Sequence, residues 1–260
     1  MSTILDKLAD HARERVLAAK ERISPDEMRS LALSLPAGQF SFETALRKED
    51  IAFICECKKA SPSKGIIAEE FDYLSIAEEY EKAGADCISV LTEPKWFMGS
   101  DEYLRRIAET VSIPCLRKDF TVDEYMIYEA KVLGASAVLL ICTILPPRKI
   151  REYIDICGSL GLSALVEAHD ADEVRTALDC GARVIGVNNR DLKDFTVDTD
   201  NSRRMRDLIP DSVTFVSESG IRTAKDIQQL RDSGVDAVLI GETLMRAADK
   251  TEKLRELKGI

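Results

Sequence analysis

Four times along this chain a glycine followed by Ala or Val leads straight into a short apolar run. The glycines are Gly84, Gly134, Gly181 and Gly234, spaced 50, 47 and 53 residues apart. A glycine just past a helix supplies the left-handed conformation that stops it, and a short run rich in Val, Ile and Leu suits a parallel strand covered on both faces. Between these units lie four runs that begin apolar and turn abruptly polar: Ile54–Lys58, Cys115–Phe120, Ala164–His169 and Phe215–Gly220. Eight strands in series, each followed by a helix, describe an α/β fold of the (β/α)8 TIM-barrel class. That fold takes about 250 residues, so 260 residues leave room for one further element, expected at the N-terminus.

Strands are expected over 51–58, 87–92, 114–119, 137–143, 163–168, 184–189, 213–218 and 237–241. Helices should fill roughly 75–83, 100–110, 122–133, 146–160, 170–180, 199–208, 223–233 and 242–256. Ahead of them, Ile4, Leu5, Leu8, Ala12, Val16 and Ala19 fall near helical spacing, and Ser24-Pro25-Asp26-Glu27 opens a second helix with Pro in its first turn. This amphipathic segment either packs on the barrel or closes one of its mouths. Acids spread through its polar face argue against a membrane-surface role. No low-complexity tract or linker rich in Gly, Pro or Ser divides the chain. One barrel domain over 1–260 is therefore expected, with residues 1–45 as an N-terminal helical extension packed on it.

Composition narrows the function classes. With 45% hydrophobic and 32% charged residues the chain can build one core. No apolar stretch approaches the ~18 residues that span a bilayer, and the first segment carries an acid before any long apolar region could form, so a cytoplasmic location is expected. The net charge of −10 argues against nucleic acid. It does not argue against a small anion held by backbone amides and a few placed cations. The seven cysteines are an odd number, most of them inside apolar patterns where a thiol serves as a small hydrophobe. Cys55 and Cys57 lack a second ligand pair at zinc spacing, and strand alternation turns both away from Glu56 and Lys58. The chain has neither a Walker loop nor a dinucleotide glycine fingerprint. No metal and no cofactor are expected. The partner is a small anionic substrate, with no nucleic acid and no membrane, and the protein is a monomer or homodimer.

In such barrels chemistry sits at the C-terminal ends of the strands. Glu56 and Lys58 share one strand face, as do Leu116, Lys118 and Phe120, and likewise Asn188 and Arg190, while Glu167 and Glu218 close strands five and seven. Six ionised groups meeting at one mouth are costly to bury unpaired, but three acids and three bases neutralise one another. Any one of them alone could be a rim salt bridge. Their recurrence on alternate strands at the same end points to a functional mouth. Ser219-Gly220 after strand seven and Gly241-Glu242 after strand eight each place a glycine where amides can approach an anion at a helix start, the common phosphate site of these barrels.

The blocks Glu56-Cys57-Lys58-Lys59-Ala60-Ser61-Pro62-Ser63, Leu91-Thr92-Glu93, Phe97-x-Gly99-Ser100, Leu116-Arg117-Lys118-Asp119-Phe120, Val166-Glu167-Ala168-His169, Asn188-Asn189-Arg190-Asp191-Leu192, Ser217-Glu218-Ser219-Gly220-Ile221 and Ile240-Gly241-Glu242 occur in that order. Together they resemble the indole-3-glycerol phosphate synthases of tryptophan biosynthesis, and the match runs through the whole chain. The resemblance implies the substrate 1-(2-carboxyphenylamino)-1-deoxyribulose 5-phosphate, closed to indole-3-glycerol phosphate with loss of CO2 and water. It implies Lys118 as general acid at the carbonyl and Glu167 as its partner, taking or giving a proton during dehydration. Lys58, oriented by Glu56, and Arg190 would hold the substrate carboxylate, with Lys58 also in reach of the phosphate. Asn188 and Glu218 would bind sugar hydroxyls, Ser219, Phe120 and Ser61 would complete the substrate site, and Gly220, Gly241 and Glu242 would take the phosphate.

Two other readings stay open on the residues alone. One is a Schiff-base sugar-phosphate aldolase, since a lysine on a barrel strand is also how that chemistry is set up. The other is a non-catalytic barrel that binds phosphorylated ligands.

Overall fold

The computed structural model describes residues 3–191 and 195–260. Leu192, the last residue of the Asn188 block, lies outside them, as do Met1 and Ser2. Eight strands form a closed, all-parallel barrel: β1 (Ala52–Cys57), β2 (Cys87–Leu91), β3 (Cys115–Lys118), β4 (Ala137–Ile141), β5 (Ser163–Ala168), β6 (Val184–Asn188), β7 (Thr214–Glu218) and β8 (Ala237–Ile240). Each pairs with its sequence neighbour, and β8 returns to β1 through Ala52 opposite Ala237. The strands agree with the expected ones to within two residues at either end. Gly84, Gly134, Gly181 and Gly234 all have positive φ, between 72° and 87°, which explains the repeat in the sequence. Each stops a helix and turns the chain into the next strand.

Alternation divides the core in two. Ala52, Ile54, Leu116, Leu139, Leu165, Val184, Val216 and Leu239 fill the barrel. Phe53, Cys55, Cys57, Val138, Val166 and Phe215 face outward into the helical layer. Cys55 and Cys57 thus point away from Glu56, as the alternation requires, and burial pushes both thiols up. All seven cysteines are free.

The helical layer comprises α4 (Tyr73–Lys82), α5 (Asp101–Thr110), α6 (Glu124–Val132), α7 (Pro147–Leu160), α8 (Ala171–Asp179), α9 (Asp200–Met205), α10 (Ala224–Asp232), α11 (Glu242–Met245) and α12 (Lys250–Lys258), preceded by α1 (Ile4–Arg22), α2 (Pro25–Ser34) and α3 (Ser41–Leu46). One helix expected over 242–256 is in fact two. Asp249 leaves helical geometry and caps α12, accepting from Glu252 N at 2.8 Å, so α11 is only a turn and a fraction. The expected extension is also more elaborate than two helices. α1 lies across the C-terminal mouth with Leu5 and Leu8 in the inner cluster, whereas α3 plugs the opposite end with Phe42 and Leu46. Glu43 N donates to Ser163 Oγ at the foot of β5, 3.3 Å away. The chain between the two ends passes so close to α7 that a Cβ on Gly38 would overlap the carbonyl of Gly161.

One histidine–carboxylate contact and two ion pairs fix α1 to the loops after β2 and β3. His11 meets Glu93 at 3.1 Å, Arg15 meets Asp119 at 2.6 Å and Lys20 meets Asp123 at 2.8 Å. No helix among the described residues is long and apolar enough to cross a membrane.

Candidate active site

A cavity of about 410 Å³ opens at the C-terminal mouth, and every residue named above as a site candidate lines it. Its floor is a cluster of charges on inward-facing strand ends. From β3, Lys118 Nζ donates to Glu167 Oε2 of β5 at 2.9 Å and to Glu218 Oε2 of β7 at 3.0 Å. Beside it, Lys58 Nζ lies 2.6 Å from Glu56 Oε1, and Ser89 Oγ of β2 donates to the other Glu56 oxygen at 3.4 Å. Asn188 Nδ2 donates to Glu167 Oε1 at 3.3 Å. Glu56, Glu167 and Glu218 are each at most 3% exposed. These carboxylates persist at such burial because each faces an ammonium or an amide.

The electrostatics differ from group to group. Burial pushes the Lys118 ammonium down, but the carboxylates of Glu167, Glu218 and Glu56 together outweigh it, and the net direction is upward. The sequence left that balance open. Glu167 is likewise opposed by burial but is carried down by Lys118 and His169. Glu218 moves the other way, because burial and the negative charge of Glu167 outweigh the help of Lys118. Two carboxylates on one lysine are thereby split, the arrangement that lets a site hold an acid and a base side by side.

Two glycines make room for this cluster. A Cβ on Gly241 would overlap Glu56 Oε1 and lie 2.9 Å from Lys58 Nζ. A Cβ on Gly186, in the middle of β6, would overlap Glu218 Oε1. Glycine inside a strand marks a close approach of this kind, and Gly186 was a legible signal that the sequence reading passed over.

The two halves of the mouth differ. Beyond β7 and β8 it is lined by turns and cations. Ser219 and Gly220 both have positive φ, 71° and 85°. Their turn is held by Asn189, whose Nδ2 donates to Ser219 O at 3.0 Å while its Oδ1 accepts from Ser202 N and Oγ at 3.0 and 2.8 Å. Gly220 is not at a helix start, contrary to expectation. α10 begins only at Ala224, and Thr223 caps it by accepting from Asp226 N. Gly241 does directly precede α11. The Glu242 carboxylate here draws Arg246 at 3.1 Å, Lys64 at 3.7 Å and Arg190 at 3.9 Å. Arg222 and Lys253 also line this side.

Toward β2, β3 and β4 the wall is apolar. Ile4, Leu5 and Leu8 of α1, Leu91, Leu139 and Ile141 surround Phe97 and Phe120, whose rings lie 6.0 Å apart. The loop that carries Phe97 wraps a fully buried carboxylate, Glu93, which accepts from the amides of Lys95, Trp96 and Phe97 at 3.0, 2.7 and 3.0 Å. Asp119 does the same for the next loop. It accepts from the two terminal guanidinium nitrogens of Arg15 at 2.6 and 3.0 Å and from the Thr92 hydroxyl at 2.5 Å. Ser61 borders the cavity from a short hairpin, Ala60–Ser61 with Gly65–Ile66. The contribution of α1 to this wall was foreseen only as one of two options, and the supports Glu93, Asp119 and Asn189 were not assigned. No group of three or more His, Cys, Asp or Glu among the described residues could hold a metal ion.

Comparison with known proteins agrees with this architecture. The family model for indole-3-glycerol phosphate synthase matches residues 5–257. An indole-3-glycerol phosphate synthase of Ruminiclostridium cellulolyticum is 55% identical over 257 residues, covering 98% of this chain and 99% of its own length. One from Endomicrobium trichonymphae is 51% identical, with 98% and 99% covered. Among solved structures, 3-hexulose-6-phosphate synthase from Salmonella typhimurium superposes with a TM-score of 0.65 at 15% identity, over 80% of this chain and 97% of that one. Thiamine phosphate pyrophosphorylase from Pyrococcus furiosus gives 0.60 at 17% identity, over 80% and 94%. At those identities they share the fold alone. On the evidence of the family model and of close relatives that match over nearly their full length, the chain belongs to the indole-3-glycerol phosphate synthase family.

Proposed function

We propose that the cavity converts 1-(2-carboxyphenylamino)-1-deoxyribulose 5-phosphate to indole-3-glycerol phosphate, CO2 and water, as a carbon–carbon lyase of tryptophan biosynthesis. The observation that carries this reading is Lys118, held between two buried carboxylates whose proton affinities are driven apart. Ring closure needs a proton at the carbonyl oxygen as the aryl carbon attacks, and dehydration needs an acid and a base in turn. Lys118 supplies the first proton. The bond to the carboxylate then breaks, its electron pair restores the ring, and CO2 leaves. With Lys118 now a neutral amine, the charge that held Glu167 down is gone. Glu167 delivers a proton to the departing hydroxyl, and the adjacent CH2 gives one up to the Lys118 amine as the indole forms. Two protons are delivered and one is returned, so each turnover draws one from water, in step with a carboxylate becoming neutral CO2.

Binding divides along the two halves of the mouth. Lys58 and Arg190 hold the substrate's anionic groups, with the amides after Gly220 and Gly241 turned to the phosphate. Asn188 and Glu218 reach the sugar hydroxyls, and Ser219 and Ser61 line the path between. Phe120 and the α1 leucines receive the aryl ring. The Glu242 side chain competes with a phosphate for its cations, so its contribution is its amide. The protein works without a cofactor on this small anionic substrate, as a monomer or homodimer with residues 1–45 forming part of one barrel domain.

A Schiff-base aldolase needs a neutral amine, whereas three carboxylates keep Lys118 charged. Mixing the purified protein with the anilino-ribulose phosphate and following indole fluorescence tests the proposal directly. Absence of an indole signal, or trapping of a keto-sugar phosphate on Lys118 by borohydride, would overturn it.

A further inference from the structure

His169 ends the block that carries Glu167, and the function described above gives it no task. It follows β5 directly, and its side chain is 18% exposed. One ring nitrogen is firmly held. Nδ1 lies 3.1 Å from Glu173 Oε2 and 3.3 Å from Thr143 Oγ1. The same Glu173 carboxylate accepts from the His169 amide at 2.8 Å and from Thr143 Oγ1 at 2.7 Å. The other nitrogen is not held. Nε2 is buried and receives no hydrogen bond among the described residues, yet it lies 3.4 Å from Glu167 Oε1. A carboxylate that fixes one nitrogen of an imidazole and leaves the other facing a proton carrier sets the tautomer and aims the ring.

We propose that His169 is the positioning and relay residue through which Glu167 is reloaded with the proton that each turnover takes from water. This rests on the reading of Glu167 as the proton donor in dehydration. The relay runs once Lys118 has given its proton to the carbonyl and no longer holds Glu167 down: the Nε2–H bond breaks, its electron pair stays on nitrogen and the proton passes to Glu167 Oε1. Nδ1–H remains on Glu173, and the ring is then neutral. After Glu167 has protonated the departing hydroxyl it is again a carboxylate. Nε2 regains a proton from water admitted as product leaves.

The surroundings favour a charged imidazole at rest. From β5 it faces Glu167, with Lys118 of β3 on the far oxygen of that carboxylate. From α8 it faces Glu173, and from β7 the more distant Glu218. The Cys142 thiol, beside Glu173, is pushed up to about 12 by burial and is uncharged. Burial opposes protonation of His169, but Glu173 and Glu167 outweigh it, and the net direction is upward.

The chain has only two histidines, which makes the test direct. In His169→Asn, kcat should fall about tenfold or more with KM little changed, the size of effect expected when a placed proton carrier is lost. Added imidazole buffer should restore it in proportion to concentration at fixed pH. Glu173→Gln keeps the imidazole but removes the charge behind it, and should lower kcat in the same sense even if His169→Asn fails to fold. In the wild type, the histidine resonance that disappears in His169→Asn should titrate above the ordinary histidine range by NMR, and move down in Glu173→Gln. An unchanged kcat, or a loss that no concentration of imidazole relieves, overturns the relay. Normal turnover by Glu167→Gln would instead remove the reading of Glu167 on which the relay rests.

Discussion

Gly186 and Glu218 occupy one space. A Cβ on the glycine would overlap Oε1 of the carboxylate, which lies on the neighbouring strand and is also hydrogen-bonded to Lys118 at 3.0 Å. Gly186→Ala should therefore push Glu218 off Lys118 and lower kcat by about tenfold or more, the scale on which positioned groups in a closed site respond to ångström displacements. The barrel should stay folded, because the disturbance is confined to one side chain. Circular dichroism beside steady-state kinetics checks both halves, and normal kinetics would show that Glu218 relocates without consequence.

Lys118→Ala should cost about 10²-fold or more in kcat, as expected for a positioned proton donor. It also leaves Glu167 and Glu218 as two buried like charges, so both carboxylates should rise in proton affinity. A pH–rate profile of the residual activity reads that rise, and near-normal turnover would exclude Lys118 as the acid.

Gly220→Asp should mainly raise KM, because it puts a carboxylate where the substrate phosphate is expected. The position has a φ of +85°, and a Cβ there would lie 2.6 Å from Val197 Cγ1, so any side chain brings strain. Gly220→Ala separates the two effects. Its KM should rise less than that of the aspartate variant, and equal values would mean that charge at this turn is irrelevant to binding.

Asp119 gives a pH dependence with a definite sign. Burial opposes its ionisation, but Arg15, Arg117 and the Thr92 hydroxyl outweigh it and hold the carboxyl below its usual range. A group whose folded-state pKa is depressed stabilises above its unfolded value, about 3.9, and that stability is lost as pH falls through the folded value. Asp119→Asn should cost about 3 kcal/mol near neutrality, the scale for stranding one partner of a buried pair. The gap between variant and wild type should narrow as the pH drops below about 4. Urea unfolding at several pH values measures it, and a gap independent of pH would mean that Arg15 holds Asp119 no better than it holds an amide.

The residues differ in how far they could be read from sequence, for physical reasons. Glu56, Lys58, Lys118, Glu167 and Glu218 were legible because a two-residue period in a strand of known direction fixes both the face and the end. The strands themselves were legible because Gly84, Gly134, Gly181 and Gly234 mark each entry. α3 was not, since it has six residues and its N-cap, Phe40, makes no side-chain hydrogen bond. The break between α11 and α12 was obscured by Ala247 and Ala248, which suit a helix well, and only Asp249 marked the restart. Asn189, Glu93 and Asp119 escaped assignment because their work is to hold loops from beneath, through contacts between segments distant in sequence. Arg15 and Asp119, for example, are 104 positions apart.

Hydrocarbon on one rim and cationic turns on the other give the mouth a compass. A long molecule with an aryl group at one end and a dianion at the other can settle in it with a single heading, which places its middle over Lys118 without further selection. Trimming either end of such a molecule would remove the heading as well as some grip, so shortened analogues should lose turnover even at concentrations that fill the cup.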